Sequence, residues 1–180
     1  AKKKIKDLGD LFIAPSAIDL HVHSRGFDES HKESFETLEL AAFKGGVSVG
    51  ACLANTQPRL DHLAMIDRFL KEAQKLKLKL IPYAAVSQNL EGKYSTDWNA
   101  LLKRPIAGLS DDGKPLLDEK MMEGALKATK KFNKLLLLHE EDTCVSNKSI
   151  LHHSETSMRL GIEGSPAESE FSMVERDLSL

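Results

Sequence analysis

The chain has 180 residues, 41% hydrophobic and 29% charged, with a mean hydropathy of −0.30, a composition that favours a globular fold able to bury a sizeable core. A formal net charge of −2 excludes the strongly basic footprint of a protein that grips nucleic acid or an anionic membrane surface. No apolar run approaches the ~18–20 residues of a membrane span, and no basic region followed by an apolar signal core opens the chain, so a cytoplasmic enzyme or binding protein is expected.

From the N-terminus, Lys2-Lys3-Lys4 reads as a solvated terminus, and an apolar run over 12–22 reads as the first strand. It ends in Asp19-Leu20-His21-Val22-His23, where strand alternation places both histidines on one face, close enough to bind one metal ion. A helix is predicted over 31–44, with Phe35, Leu38, Ala41, Ala42 and Phe43 toward one side. A strand over 47–54 runs into Asn55. A helix over 61–77 follows, burying Leu63, Ile66, Leu70 and Ala73.

The third strand is predicted over 79–87 and a short helix over 96–103. A fourth strand over 105–110 runs into Asp111 and Asp112. Helix 118–133 carries Met121, Met122, Ala125, Leu126 and Phe132 on its apolar face. The fifth strand, 135–139, stops at His139, and a last helix over 166–180 opens with Pro166 at its first position and ends at Leu180. His152-His153 reads as loop or exposed helix. Cys52 and Cys144 form no Cys-x-x-Cys arrangement, so neither a disulfide framework nor a cysteine zinc site is predicted, and both read as buried, reduced thiols.

Five β/α units in succession imply a parallel sheet with helices outside, either doubly wound or a (β/α)8 barrel. The doubly wound alternative calls for a Gly-rich turn after the first strand, which Ser24-Arg25-Gly26-Phe27 does not supply. In barrels the chemistry gathers at the C-terminal strand ends, where this chain places His21, His23, Asn55, Asp111, Asp112 and His139. The barrel is therefore the favoured fold. Each residue also has an ordinary reading: Asp112-Gly113 is a favoured turn dipeptide, and His139 is able to end a buried strand as a satisfied imidazole.

Asp19-Leu20-His21-Val22-His23-Ser24-Arg25 resembles the start of the amidohydrolase barrel, and bacterial class I dihydroorotases in particular. Asn55-Thr56-Gln57-Pro58, Ser110-Asp111-Asp112-Gly113-Lys114-Pro115 and His139-Glu140-Glu141-Asp142 are similar to that family's later markers, in the same order. So are His31-Lys32-Glu33, Gly45-Gly46-Val47, Arg159-Leu160-Gly161 and Pro166-Ala167-Glu168. The resemblance spans nearly the whole chain.

The resemblance implies a partial (β/α)8 amidohydrolase barrel with two zinc ions. His21 and His23 would hold one ion, His139 the second, and Asp112 would bridge them; Asp112 rather than Asp111 matches the family spacing to His139. A carboxylate between two cations offsets their repulsion, and cations so placed polarise a carbonyl and acidify water. The implied reaction is the interconversion of dihydroorotate and N-carbamoyl-L-aspartate in pyrimidine biosynthesis. Arg25 would pair with the substrate carboxylate, and Asn55 would bind the same end of the substrate. Allantoinases usually carry Asn where Arg25 stands, and dihydropyrimidinases and hydantoinases use a carboxylated lysine where Asp112 stands, so both fit less well. Glu141 and Asp142 would orient His139 or be solvated.

The departures matter equally. Gly26-Phe27-Asp28-Glu29-Ser30 replaces the family's acidic residue and Pro-Gly turn. The family's sixth-strand histidine and its eighth-strand aspartate have no counterpart. The aspartate is the general acid/base, so that group is expected beyond Leu180, with no catalytic acid/base among the 180 residues. With Ala1 in place of an initiator Met, the expectation is a piece of a longer protein: 1–14 the end of a small flanking β-domain or barrel entry, and 15–180 the N-terminal portion of the barrel. Expected partners are the small-molecule substrate, a second copy in a homodimer, and aspartate transcarbamoylase. A non-catalytic scaffold beside that transcarbamoylase, an allantoinase-like hydrolase and a general metal-binding module stand as alternatives.

Overall fold

In the computed structural model, which describes residues 6–146 and 149–180, the five apolar runs form one five-stranded parallel sheet in the order β1-β2-β3-β4-β5. The strands are β1 (Ala17–Val22), β2 (Val47–Cys52), β3 (Lys79–Ala84), β4 (Gly108–Ser110) and β5 (Leu135–Leu137). Helices α1 (Phe35–Lys44), α2 (Leu63–Ala73), α3 (Trp98–Leu101) and α4 (Glu119–Lys131) each connect one strand to the next, and α5 (Glu155–Leu160) and α6 (Glu168–Ser179) follow β5. This is the succession of crossovers expected of a β/α barrel arc.

The sheet is curled. In a flat sheet β1 and β4, three places apart at about 4.8 Å per place, would be separated by roughly 14 Å. Instead the end of β1 and the residues after β4 touch, with His21 Nε2 3.4 Å from Asp112 Oδ1. The core lies between sheet and helices: Ile66 and Phe69 of α2, Leu109 of β4, and Met122 and Ala125 of α4 are all but fully buried. Each large apolar side chain so buried contributes about 1.5–3 kcal/mol. Phe27, Phe35 and Phe69 pack edge to face, with ring centroids 5.3–6.5 Å apart, and lock the first loop onto α1 and α2.

Local sequence sets the helix starts. Ser34 caps α1, its hydroxyl accepting from the Thr37 amide at 3.2 Å while the Thr37 hydroxyl accepts from the Ser34 amide at 2.9 Å. Asp118 caps α4 through the Met121 amide at 2.7 Å. Between β4 and β5 the backbones run so close that a Cβ on Gly108 would collide with the Leu135 carbonyl.

Several expectations are corrected. The first strand begins at Ala17, not residue 12: residues 6–16 hold no helix or strand, Phe12 and Ile13 are exposed, and the first ladder bond is Ala17 N–H to Gly46 O. Apolar alternation makes no strand without a partner to pair with. The last helix is shorter at both ends than 166–180. Pro166 precedes α6, its carbonyl accepting from the Ser169 amide at 3.1 Å, and Leu180 stands outside it as the exposed C-cap. The other predicted elements survive with trimmed ends, and α5 joins them; its six residues are too few to show a clear apolar period.

Phe43, Ala41 and Leu63 are exposed, the inward faces being built instead by Phe35, Leu38 and Ala42 of α1 and by Met65, Ile66 and Phe69 of α2. Cys52 is buried but Cys144 is exposed, because it lies in the turn after β5 rather than in the core. His152 and His153 are exposed in a loop. Of the segment 1–14, residues 1–5, including Lys2-Lys3-Lys4, lie outside the described residues.

Candidate metal centre

Three side chains from two strand ends converge at the C-terminal rim. The ligating atoms of His21, His23 and Asp112 all lie within 4.8 Å of one another. Asp112 gives one oxygen to each histidine: Oδ1 is 3.4 Å from His21 Nε2 and Oδ2 is 3.6 Å from His23 Nε2. These separations are close to the ~3.3 Å edge of a tetrahedron of ligands at 2.0–2.1 Å from a zinc ion. Two imidazoles and a carboxylate also match the donor preference of zinc and similar divalent metals. The donor set therefore fits a divalent cation.

His139, just past β5, also faces Asp112. Its Nδ1 is 3.9 Å from Asp112 Oδ1, the oxygen that also lies 3.4 Å from His21 Nε2. The opposite nitrogen, Nε2, lies 3.3 Å from Glu141 Oε2, and Glu141 is itself held by the Ser146 hydroxyl at 2.7 Å. That hydroxyl, followed by the neighbouring imidazole, keeps the Glu141 carboxyl below the usual range despite some desolvation. Glu141 thus orients His139, whereas Asp142 accepts from the backbone of 144–146 and shapes the turn.

Asp111 and Asp112 have separate jobs. Asp111 accepts from the Val86 amide at 2.7 Å, the Ser87 amide at 3.1 Å and the Ser87 hydroxyl, tying β4 to the end of β3. Burial pushes its carboxyl up, opposed by those hydrogen bonds. Asp112 is left to face the histidines.

Asn55 joins the metal cluster directly. Its Oδ1 is 3.0 Å from His23 Nδ1, while Nδ2 donates to Asp112 Oδ2 at 3.1 Å and more weakly to the Asp112 carbonyl at 3.4 Å. An imidazole whose Nδ1–H is held by a carboxamide oxygen presents Nε2 as its free lone pair, and Nε2 is the atom that faces Asp112. Arg25 is half-buried beyond the end of β1 and lines a cleft of about 370 Å³ with Lys32, Asn55, Arg59, Asp112 and Lys114. Glu29, paired with Lys32, also lines the cleft, which carries Arg25, Arg59 and Lys114 as further cations and opens beside the cluster.

The family model of dihydro-orotase-like proteins matches residues 10–180. The chain belongs to that family. A dihydroorotase of Syntrophobacter fumaroxidans is 34% identical over 175 residues, covering 97% of this chain and 40% of the relative. One from Streptococcus pneumoniae is 33% identical over 174 residues, covering 97% and 41%. This dihydroorotase-like chain therefore spans about two-fifths of the length of those relatives. Its fold is also that of the crystal structure of a dihydroorotase from Saccharomyces cerevisiae in complex with 5-fluoroorotic acid, with a TM-score of 0.58 at 20% identity over 92% of this chain and 44% of the other. Among the described residues, no helix is long and apolar enough to cross a membrane.

The six residues given binding roles from the sequence all stand on this rim: His21, His23 and Asp112 in one cluster, His139 against Asp112, Asn55 bridging, and Arg25 in the adjoining cleft. Leu180, next to which no acid/base is expected within the chain, is an exposed aliphatic residue capping α6 and brings no proton-transfer group. Sequence reasoning missed the double tie of Asn55 to His23 and Asp112, and it missed Arg59. A contact across 32 or 57 residues of chain leaves no periodic signal, and Arg59 belongs to no motif quoted above.

Proposed function

We propose that the chain forms the metal-binding part of a zinc-dependent dihydroorotase, interconverting dihydroorotate and N-carbamoyl-L-aspartate in the cytoplasmic synthesis of pyrimidines. The observation that carries this reading is the convergence of His21, His23 and Asp112, with His139 within 3.9 Å of the same carboxylate, in a member of the dihydroorotase-like family. His21 and His23 would hold one zinc, His139 would belong to a second, and Asp112 would lie between the two. Zinc bound there supplies Lewis acidity toward a carbonyl oxygen and lowers the pKa of water.

The protein's own groups supply recognition. Arg25 carries a planar cation that meets a carboxylate in a bidentate pair, so the cleft favours a ring bearing a free carboxylate over neutral allantoin. Asn55 reaches from the cluster to the same cleft and offers both a donor and an acceptor. Two of the nearby carboxyl groups are engaged otherwise: Asp111 with 86–87, and Glu141 with Ser146 and His139. The chain, about two-fifths of the length of its relatives, would supply the metal-binding and substrate-binding groups.

The test has two arms. Zinc titration of the chain measures the metal site, and hydrolysis of dihydroorotate is followed for the chain alone and co-expressed with the remaining segment of the Syntrophobacter fumaroxidans enzyme. Expected are zinc binding by the chain alone and dihydroorotate hydrolysis only with the complementing segment. Absence of zinc binding, or turnover of allantoin in preference to dihydroorotate, overturns the proposal.

A further inference from the structure

The Asn55–Thr56–Gln57–Pro58 segment leaves β2 and returns to it: the Leu60 amide donates to the Ala54 carbonyl at 3.1 Å, and the Ala85 amide donates to the Leu60 carbonyl at 2.8 Å. Inside this closed turn the Thr56 hydroxyl donates to the Pro58 carbonyl at 2.6 Å. The carbonyls of Asn55 and Thr56 point to one guanidinium. Arg59 Nη1 donates to Asn55 O at 2.8 Å and to Thr56 O at 3.0 Å.

We propose that Arg59 is a positioning residue for the metal centre, acting through Asn55; the inference rests on the metal-site reading above. The peptide plane of Asn55 is set by what its carbonyl meets, and its carbonyl meets Arg59. The Asn55 side chain, launched from that peptide, holds His23 Nδ1 and Asp112 Oδ2 together, 3.0 and 3.1 Å away. Arg59 thereby fixes, at one remove, the angle between a ligand from β1 and a ligand from β4. Without the guanidinium, two carbonyls of a tight, half-buried turn lose their donor, and the turn relaxes toward water. The carboxamide bridge loosens with it. Lysine would keep the charge and reach the carbonyls with a less rigid donor.

Arg59 also lines the cleft, so direct contact with substrate is the competing role. Zinc affinity measured without substrate separates the two. In the 180-residue chain, Arg59→Met is expected to weaken zinc binding roughly 10-fold, the low end of what outer contacts to metal ligands contribute. Arg59→Lys is expected to recover affinity to within about 3-fold of wild type. With Asn55→Ala already present, Arg59→Met is expected to add almost nothing, because the path is already cut. Circular dichroism and urea midpoints establish that each variant is folded.

Unchanged zinc affinity in folded Arg59→Met overturns the proposal while leaving the metal site intact, and so do losses that add in the double variant. If Arg59→Met does not fold, Arg59→Gln, which lacks the charge and the forked donor, decides in the same way: a loss that disappears in the Asn55→Ala background supports the positioning role, and no loss or an additive one overturns it. A wild-type chain that binds no zinc overturns the proposed function as well.

Discussion

Asp111 and Asp112 are neighbours in sequence with opposite duties: Asp111 accepts three backbone and hydroxyl donors at the end of β3, and Asp112 sets its two oxygens against His21 and His23. Substituting each with asparagine is expected to separate stability from metal binding. Asp111→Asn turns a donor toward existing donors and is expected to cost about 1–3 kcal/mol, read as a lower urea midpoint with unchanged slope. Asp112→Asn is expected to leave the midpoint nearly unchanged and to weaken zinc by more than the roughly 10–100-fold typical of outer contacts. Equal effects of the two on zinc would contradict the assignment.

The two thiols differ in the same testable way. Burial pushes the Cys52 thiol up to about 12 from an ordinary value of 9.0, while Cys144 is exposed. At about pH 8 a thiol reagent is expected to modify one cysteine promptly and the second only on unfolding. The folded state also holds the Cys52 proton more tightly than the unfolded chain does. Its contribution to stability is therefore full below pH 9.0 and is lost as pH rises toward about 12, at about 1.4 kcal/mol per pH unit. Cys52→Ala is expected to flatten that slope in alkaline urea titrations.

Gly108→Ala is expected to be among the most damaging single-methyl additions, since the new Cβ meets the Leu135 backbone rather than a movable side chain. Separation of β4 from β5 is expected to cost about 3 kcal/mol or more. It would also carry His139 away from Asp112, so zinc stoichiometry, measured by metal analysis of the folded fraction, is expected to fall. An unchanged melting curve would show that the two strands adjust freely.

Much of this was legible beforehand, for reasons that differ by residue. Strands of a parallel sheet with helices outside are continuous apolar runs, so β2 to β5 stand out, and barrel chemistry at strand ends directs attention to His21, His23, Asp112 and His139. Phe12 and Ile13 misled because a strand's pattern is local while its partner is not. Choosing Asp112 over Asp111 took the family spacing; nothing in Ser110-Asp111-Asp112-Gly113 says which carboxylate turns to the Ser87 amide. Arg59 was invisible because its partners are carbonyls, which every residue has.

The curl of the sheet gives the metal ligands a mechanical meaning. His21 lies in, and His23 just past, an edge strand whose Ile18 and Leu20 are exposed, and Asp112 follows a strand three places away. Among the described residues, no strand pairing joins β1 to β4 directly. An ion gripped from both sides would act as a tie-rod across an arch, and the free energy with which it is held would be the free energy that keeps the arch bent. Chelation would then be felt first not at the rim but along β1, as faster amide exchange in an edge strand that pairs with β2 alone among the described residues.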